Sequence, residues 1–224
     1  DSTGLTYLLL VAYTETLARS GDVGGAMKAQ DQMEAKRHPS YVYMEPARLL
    51  ASAWVAAARG RTSEAMGLAG QAAEFARTHG QHAREAMCLQ VAMQFGDHRH
   101  APRLEELAEL TVGPRVGLAR QWAKALSGGD ADELMSISCG LEDMGDNIGA
   151  ADAAAQAAGI FKRHNRNGAR LTASGRAAAL AKRCGATTMA TKLAATSLPL
   201  TNREREIATL VSQGMSNQQI ADVL

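Results

Sequence analysis

The sequence is poor in aromatic residues and in proline, and both shortages narrow the range of structures it can form. Aromatic residues make up 4% of the chain, so a hydrophobic core must consist mainly of alanine, leucine, methionine and valine. Only five prolines occur among 224 residues dominated by good helix formers. Runs of alternating Val, Ile and Thr are missing, which argues against a β-sheet. The composition therefore predicts an all-α protein.

Cysteines are also few, and long apolar stretches are missing. The three cysteines, Cys88, Cys139 and Cys184, are widely separated and odd in number, which argues against a disulfide framework and favours a reducing compartment. No apolar stretch reaches the roughly 18 residues of a membrane span, and none has the shape of a signal peptide. We therefore expect a cytoplasmic protein with no membrane partner.

Acidic residues are absent from residues 153–203, where nine basic residues lie, whereas residues 1–152 hold 14 basic and 20 acidic residues. Such asymmetry can mark a surface that approaches nucleic acid. The alternative is a solvated helical face whose cations pair with acidic helices upstream. The spread of the cations over several predicted helices favours this alternative; they are Lys162, Arg163, Arg166, Arg170, Arg176, Lys182, Arg183, Lys192 and Arg203.

Glycine-containing turn signals recur along the body at Gly21, Gly60, Gly96 and Gly128, at intervals of 32 to 39 residues. Periods of this size suggest stacked helical hairpins. Second breaks lie between these turns, for example at His38-Pro39-Ser40. We expect helices near 4–20, 22–36, 43–59, 62–79, 82–95, 101–111, 114–127, 131–144, 147–164 and 168–183.

The alanine-rich faces of these helices favour close packing of one helix on the next. Ala47, Ala51 and Ala58 share one such face. The pattern resembles tetratricopeptide-like (TPR-like) repeats in an α-solenoid, although the consensus of that repeat is not reproduced at fixed offsets. A plain antiparallel helical bundle is the alternative. We predict a repeat region over residues 1–184, followed by a linker over 185–199 whose residues are small and Thr-rich. Pro199 closes this linker, which has room for one short helical turn.

The end of the chain carries signals for two short helices. Thr201 and Glu204 fit the capping box S/T-x-x-E, and Ser216 and Gln219 repeat it. Gly214 stands where a left-handed residue ends the first of these helices. Each helix has an apolar stripe, formed by Ile207, Leu210 and Val211 in the first and by Ile220, Val223 and Leu224 in the second.

These residues are similar to the LuxR-type (GerE-type) helix-turn-helix domain. In that family an L-T-x-R-E-R-E helix precedes a G-x-S-N-x-x-I-A-x-x-L helix, and both motifs occur between Leu200 and Leu224. A bacterial sigma-factor C-terminal domain begins with a similar pair of helices and is the nearest alternative. The alanine-rich helices at 153–187 look like the tail of the repeat region in large multidomain regulators of the LuxR family.

The resemblance implies a bacterial transcriptional regulator that binds DNA through its C-terminal head. It places Thr201, Arg203, Ser216 and Asn217 near the DNA, whereas Glu204 is expected to act as a structural cap. Capping alone is the competing role for Thr201 and Ser216. The family's domain continues through a recognition helix and a fourth helix, whereas this sequence stops at Leu224. We therefore expect residues 200–224 to be a partial head in an internal piece of a larger regulator.

The resemblance also implies partners besides DNA: an effector or regulatory protein on the helical repeats, and upstream modules of the same polypeptide. Tyr7, Tyr13, Tyr41 and Tyr43 either line a groove for such an effector or simply pack. A TPR-like protein-interaction scaffold without DNA binding is the alternative function.

No catalytic constellation stands out in the sequence. The phosphate-binding pattern G-x-x-x-x-G-K-S/T, which an ATPase would need, is missing. The run from Asp97 to His100 offers at most two histidine ligands and is interpreted as a solvated turn. We expect no enzymatic activity, no metal and no cofactor.

Overall fold

The fold is built from helices throughout the part of the chain that the computed structural model describes, residues 4–195, 207, 210, 211 and 215–223. Ten helices lie where the sequence predicts them, with ends that agree to within about two residues. They are α1 (Leu5–Ser20), α2 (Val23–Ala35), α3 (Glu45–Ala58), α4 (Thr62–Thr78), α5 (His82–Gln94), α6 (Ala101–Leu110), α7 (Pro114–Gly128), α8 (Ala131–Asp143), α9 (Asn147–Arg163) and α10 (Asn167–Cys184).

Three further elements complete the described structure. A 3-10 helix (Pro39–Met44) precedes α3, at a position where the sequence predicted only a break. A short helix α11 (Met189–Ala195) follows α10, and a last helix (Asn217–Val223) lies in the C-terminal segment. No helix in these described ranges combines the length and the apolar character needed to cross a membrane.

Most helices of the body end in the same turn. A residue one or two positions after the helix adopts a left-handed conformation, and the next N–H returns to a carbonyl five residues back, as between Asp22 and Leu17 at 3.0 Å and between Asp146 and Leu141 at 2.8 Å. This hydrogen bond closes a Schellman motif. The chain then enters the next helix, which gives tight helix pairs. The left-handed residues are Gly21, Gly60, Gly80, Gly96, Gly129, Gly145, Asn165 and Gly185.

An aspartate after the left-handed glycine starts the next helix at three of these turns. Asp22, Asp130 and Asp146 each accept a hydrogen bond from the backbone N–H three residues later, at 2.8, 2.9 and 3.0 Å. Such caps satisfy an N–H that has no partner within the helix. The dipeptide Gly-Asp therefore both ends one helix and begins the next, which explains why the helix ends could be predicted so closely.

One predicted turn residue was wrong. The sequence predicted the fourth turn at Gly128, but Gly128 is the last residue of α7, and Gly129 adopts the left-handed conformation with φ 66°. Two adjacent glycines carry the same local signal, so only the register of α7 decides between them.

The core is centred on α9, which is buried on nearly all sides. Its seven buried alanines let neighbouring backbones approach closely, and Ile160 and Phe161 close its C-terminal end. A helix that is apolar all round belongs in an interior. α9 packs against α8, α10 and α11, and it also reaches α5. Both tryptophans lie in this interior, Trp54 at 2% exposure and Trp122 at 0%.

The first part of the segment predicted as a linker is packed helix. Within residues 185–199, α11 lies against α9, and Ala190 and Ala194 are buried. The Thr187 N–H donates a 2.7 Å hydrogen bond to the carbonyl of Arg19, at the end of α1. Residues 196–199 lie outside the described residues. The body therefore extends at least to Ala195, beyond the boundary that the sequence predicted.

Candidate DNA-binding segment and polar core

The capping box predicted at Ser216 is present in the structure. The Ser216 N–H donates a 2.8 Å hydrogen bond to Oε1 of Gln219, and the Gln219 N–H donates to Oγ of Ser216 at 3.4 Å. The Ile220 N–H donates to the Ser216 carbonyl at 2.9 Å, which is the first intrahelical hydrogen bond. Ser216 is therefore the N-cap of the helix Asn217–Val223, as the reciprocal bonds of a capping box require.

The turn before Ser216 repeats the bond that ends the helices of the body. The Met215 N–H donates a 3.2 Å hydrogen bond to the carbonyl of Leu210, five residues earlier. Ile207, Leu210 and Val211 are helical, and Ile220 of the following helix is 7% exposed. In the described part of this segment, helical residues at 207, 210 and 211 thus precede a second, capped helix.

The structure describes little of the other predicted DNA-binding residues. Thr201, Arg203, Glu204 and Gly214 lie outside the described residues. Asn217 is the first residue of the last helix, and the structure describes its backbone alone. The assignment of Thr201, Arg203, Ser216 and Asn217 to DNA stays a prediction.

The basic stretch 153–203 pairs in part with an acidic helix. Arg166 binds the carboxylate of Asp132 at 2.5 Å, and Arg176 and Arg183 each bind the carboxylate of Glu142 at 2.5 Å. Asp132 and Glu142 lie on α8, immediately upstream. These contacts match the alternative in which the cations form a solvated face paired with acidic helices. They leave less positive charge for a nucleic acid on α10.

A buried carboxyl group joins three elements at the centre of the molecule. The side-chain amide of Gln94, on α5, donates a 2.9 Å hydrogen bond to Asp152 of α9. The Thr188 hydroxyl, one residue before α11, donates to the other oxygen of the same carboxyl group. Burial raises the pKa of Asp152 to about 7, although the two hydrogen bonds and the charge of Arg19 oppose that rise. Asp152 thereby ties α11 to the interior.

A half-buried amide lies one turn further along α9. Gln156 accepts a 2.7 Å hydrogen bond from the indole N–H of Trp122 and donates a 2.7 Å bond to the carbonyl of Met93. Trp122 itself lies in the core. Neither Asp152 nor Gln156 stood out in the sequence, because both lie within an alanine-rich run.

The predicted tyrosine cluster divides into a stacked pair and an exposed pair. Tyr7 and Tyr41 stack with ring centroids 5.4 Å apart, whereas Tyr13 and Tyr43 are 55% and 56% exposed. A groove of about 1080 Å³ passes the stacked pair. Its charged groups neutralise one another: Arg48 binds Glu45 at 2.6 Å and Glu34 at 2.8 Å, and Arg37 binds Glu45 at 3.2 Å.

The predicted turn at residues 97–100 is held by an arginine. The carboxylate of Asp97 accepts hydrogen bonds from Nε and Nη2 of Arg99 at 2.8 and 2.7 Å, and His100 lies 3.6 Å away. Across the described residues, no group of three or more His, Cys, Asp or Glu side chains is arranged to hold a metal ion.

Comparison with known proteins locates one match at the end of the chain. Residues 198–224 match the family described as "Bacterial regulatory proteins, luxR family". No curated protein and no solved structure matches the chain significantly. The match covers the segment in which Ser216 and Gln219 form the capping box, and it supports a LuxR-type DNA-binding regulator at the level of the family.

Proposed function

We propose that the protein is a DNA-binding transcriptional regulator of the LuxR type. The helices α1–α11 form its sensor or transmission arm, and residues 200–224 begin its DNA-binding head. One observation carries this proposal: the luxR-family match at 198–224 coincides with a helix that starts at a reciprocal Ser216–Gln219 capping box. The repeat region is TPR-like in this proposal, in keeping with the Schellman turns that recur between its helices.

By resemblance to the family, Thr201, Arg203, Ser216 and Asn217 lie near the DNA backbone. Contacts to phosphate fix the position of a protein on the duplex but do not read its sequence. In helix-turn-helix proteins the base edges are read by the recognition helix, which the family places after the helix that begins at Asn217. These four residues are therefore expected to set affinity rather than sequence preference.

The body supplies regulation in this proposal, through an effector or regulatory protein on the repeats and through other modules of the same polypeptide. α11 ends at Ala195, three residues before the matched segment begins at 198. Thr187 and Thr188, which precede α11, bind α1 and α9. A change in the packing of α1 or α9 would therefore be transmitted through α11 to the start of the head. The proposal includes a cytoplasmic location and no catalytic activity of the body.

A binding series in rising salt tests the DNA-binding function. The 224-residue chain is expected to bind a random-sequence duplex weakly and without preference, and its affinity should fall steeply with salt, as for contacts with phosphate. A longer chain that continues through a recognition helix should select a consensus from a randomised duplex library. Failure of the longer chain to select any sequence would overturn the proposal.

Substitutions at Ser216 separate the phosphate contact from the cap. Ser216→Ala removes the cap, whereas Ser216→Asp keeps a capping side chain and adds a negative charge. If Ser216 lies at the DNA backbone, the aspartate variant should bind DNA more weakly than the alanine variant, although its helix is the more stable. Equal or stronger DNA binding by Ser216→Asp would place this residue away from the phosphates.

A protein-interaction scaffold without DNA binding is the second candidate function. It is favoured by the pairing of Arg166, Arg176 and Arg183 with acidic residues of α8, since those cations are already neutralised within the protein. A longer chain that binds DNA no better than the 224 residues would support the scaffold.

A further inference from the structure

A cleft of about 590 Å³ opens between four helices of the body. It lies at the ends of α5 and α7, along the second half of α9, and against α11. A volume of this size falls in the range of pockets that bind small molecules. The cleft is separate from the groove at Tyr41 and from the capped helix at Ser216.

Most of the inner lining of this cleft is apolar, and its polar part consists of the amide side chains of Gln94 and Gln156. Phe95 and Ile160 form its floor and are each 3% exposed, so they leave little surface for a ligand to cover. Met189 and Leu193 of α11 form one wall, and Leu193 is 63% exposed. An exposed leucine beside a buried aromatic floor offers apolar surface that a ligand can remove from water, at about 25 cal/mol for each Å² that is buried.

The rim of the cleft is basic. His98, Lys162 and Arg163 line it and are exposed, and none of its described lining residues is acidic. Within the described ranges, neither Lys162 nor Arg163 forms an ion pair of 4 Å or less, unlike Arg166, only three residues further on. The groove at Tyr41 differs, because its own carboxylates neutralise its arginines. Positive charge at the cleft thus stays available to an external anion.

Gly159 lies on the α9 side of the cleft and leaves room there. A Cβ added to this glycine would meet nothing within 4 Å, so packing does not require the small residue. Glycine within a helix is less stable than alanine by about 0.5–1 kcal/mol. The glycine therefore widens the cleft at a cost to the helix, and the backbone of α9 is open to close approach by a ligand.

We propose that this cleft binds a small amphipathic anion, with an apolar chain along Met189 and Leu193 and a carboxylate or phosphate head group at Lys162 and Arg163. A cationic head group would meet only like charge at the rim. A purely polar anion would leave this apolar wall uncovered, and a neutral apolar molecule would leave the two cations without a counter-charge. The proposal does not rest on the DNA-binding function.

Calorimetric titration of the whole chain tests this proposal with three probes that share a ten-carbon chain. Decanoate and decyl phosphate supply the two anionic head groups, and decyltrimethylammonium supplies the opposite charge. We expect one or both anions to bind and the cation to bind at least tenfold more weakly, as contacts between a charged head group and Lys or Arg imply. The anion that binds more tightly identifies the head group.

Two variants remove the site in different ways. The double variant Lys162→Gln/Arg163→Gln should weaken anion binding roughly tenfold or more, since it removes the charge but leaves the floor. Its matched control, Lys28→Gln/Arg59→Gln, removes two exposed cations elsewhere and should bind as the parent does. Gly159→Leu should fill the cleft and abolish binding, whereas Gly159→Ala should fold at least as well and retain binding. Circular dichroism confirms that each variant is folded.

Hydrogen exchange gives a second measurement that does not depend on heat of binding. Because α11 forms one wall of the cleft, a bound anion should slow exchange of the amides from Met189 to Ala195. Failure of both anions to bind, equal binding of the cationic probe, or unchanged binding by the charge-removed and Gly159→Leu variants would each overturn the proposal. None of these results would bear on DNA binding, which is measured separately.

Discussion

The side-chain amide of Gln94 donates a 2.9 Å hydrogen bond to the carboxyl group of Asp152, and both residues are almost completely buried. This contact joins the end of α5 to the middle of α9, and the Thr188 hydroxyl on the opposite oxygen extends it to the segment before α11. A titratable group with no ion-pair partner within 4 Å in the described structure therefore lies where three parts of the body meet.

The pH dependence of stability is expected to reveal Asp152. Burial raises its pKa from 3.8 to about 7, so the folded protein holds a proton between these values that the unfolded chain releases. Stability from this group is complete below pH 4 and is lost as the pH rises to about 7. Its size is on the order of a few kcal/mol, since one pKa unit corresponds to about 1.4 kcal/mol.

Urea unfolding of the parent and of Asp152→Asn, measured across pH 4 to 8, checks this prediction. Asparagine does not titrate, so the stability of the parent relative to the variant should decline with rising pH. A difference that is constant with pH, or that grows in favour of the parent, would contradict the raised pKa. Arg19 and Asp146 are the other charges that act on Asp152, and both are kept in the two proteins.

A buried ion pair and an exposed ion pair should differ in how much their loss destabilises the protein. Glu85 is 1% exposed and binds Arg103 through both oxygens at 2.6 and 2.9 Å. Arg103→Met should destabilise the protein by about 3 kcal/mol, because it leaves a buried carboxylate without its partner. Arg77→Met is the matched control, since Arg77 pairs with Glu74 on the surface and should cost far less. Chemical denaturation of both variants measures the contrast.

The adjacent glycines at the end of α7 should respond in opposite ways to alanine. Gly128 is helical, so Gly128→Ala should stabilise the protein by up to about 1 kcal/mol. Gly129 has φ 66°, so Gly129→Ala should destabilise it by roughly 1 kcal/mol or more. A Cβ meets nothing within 4 Å at either position, which leaves backbone conformation as the difference. Equal shifts in melting temperature for both variants would contradict this assignment.

The capping box at Ser216 should control local opening of the last helix. Gln219→Ala removes the acceptor of the Ser216 N–H, and Ser216→Ala removes the acceptor of the Gln219 N–H. Each change should cost about 1 kcal/mol locally and speed hydrogen exchange of the Ile220 amide roughly fivefold. Gln218→Ala is the control, because Gln218 is exposed and outside the box. Exchange that is unchanged in both box variants would show that the cap is not formed in solution.

The sequence predicted most of the helices because their ends are encoded locally. Gly21 followed by Asp22 specifies both a left-handed end and a capped start, and the structure uses both residues in this way. The choice between Gly128 and Gly129 could not be predicted, since it depends on the register of α7. α11 was missed as a packed element because its residues are small and Thr-rich. It is held by distant partners such as Arg19 rather than by strong local signals.

The candidate sites also differ in whether local sequence patterns or tertiary contacts determine them. The Ser216–Gln219 box is a local pattern, and its reciprocal bonds were predicted from spacing alone. The basic cleft at Lys162 and Arg163 could not be predicted, because the sequence shows all cations of 153–203 alike. Only the tertiary structure distinguishes Arg166, which binds Asp132 on α8, from Arg163, which lines the cleft.

The contacts of α11 and of the residues just before it with α1 and α4 affect how the body unfolds. Thr187 bonds the carbonyl of Arg19, and the Thr62 hydroxyl lies 3.1 Å from Sδ of Met189, so residues more than 120 positions apart in sequence are joined. In an open array of repeats each unit contacts only its neighbours, and the ends can fray alone. Here the two ends of the body restrain each other. Loss of either should propagate through the whole, which favours a single cooperative transition over stepwise peeling of hairpins.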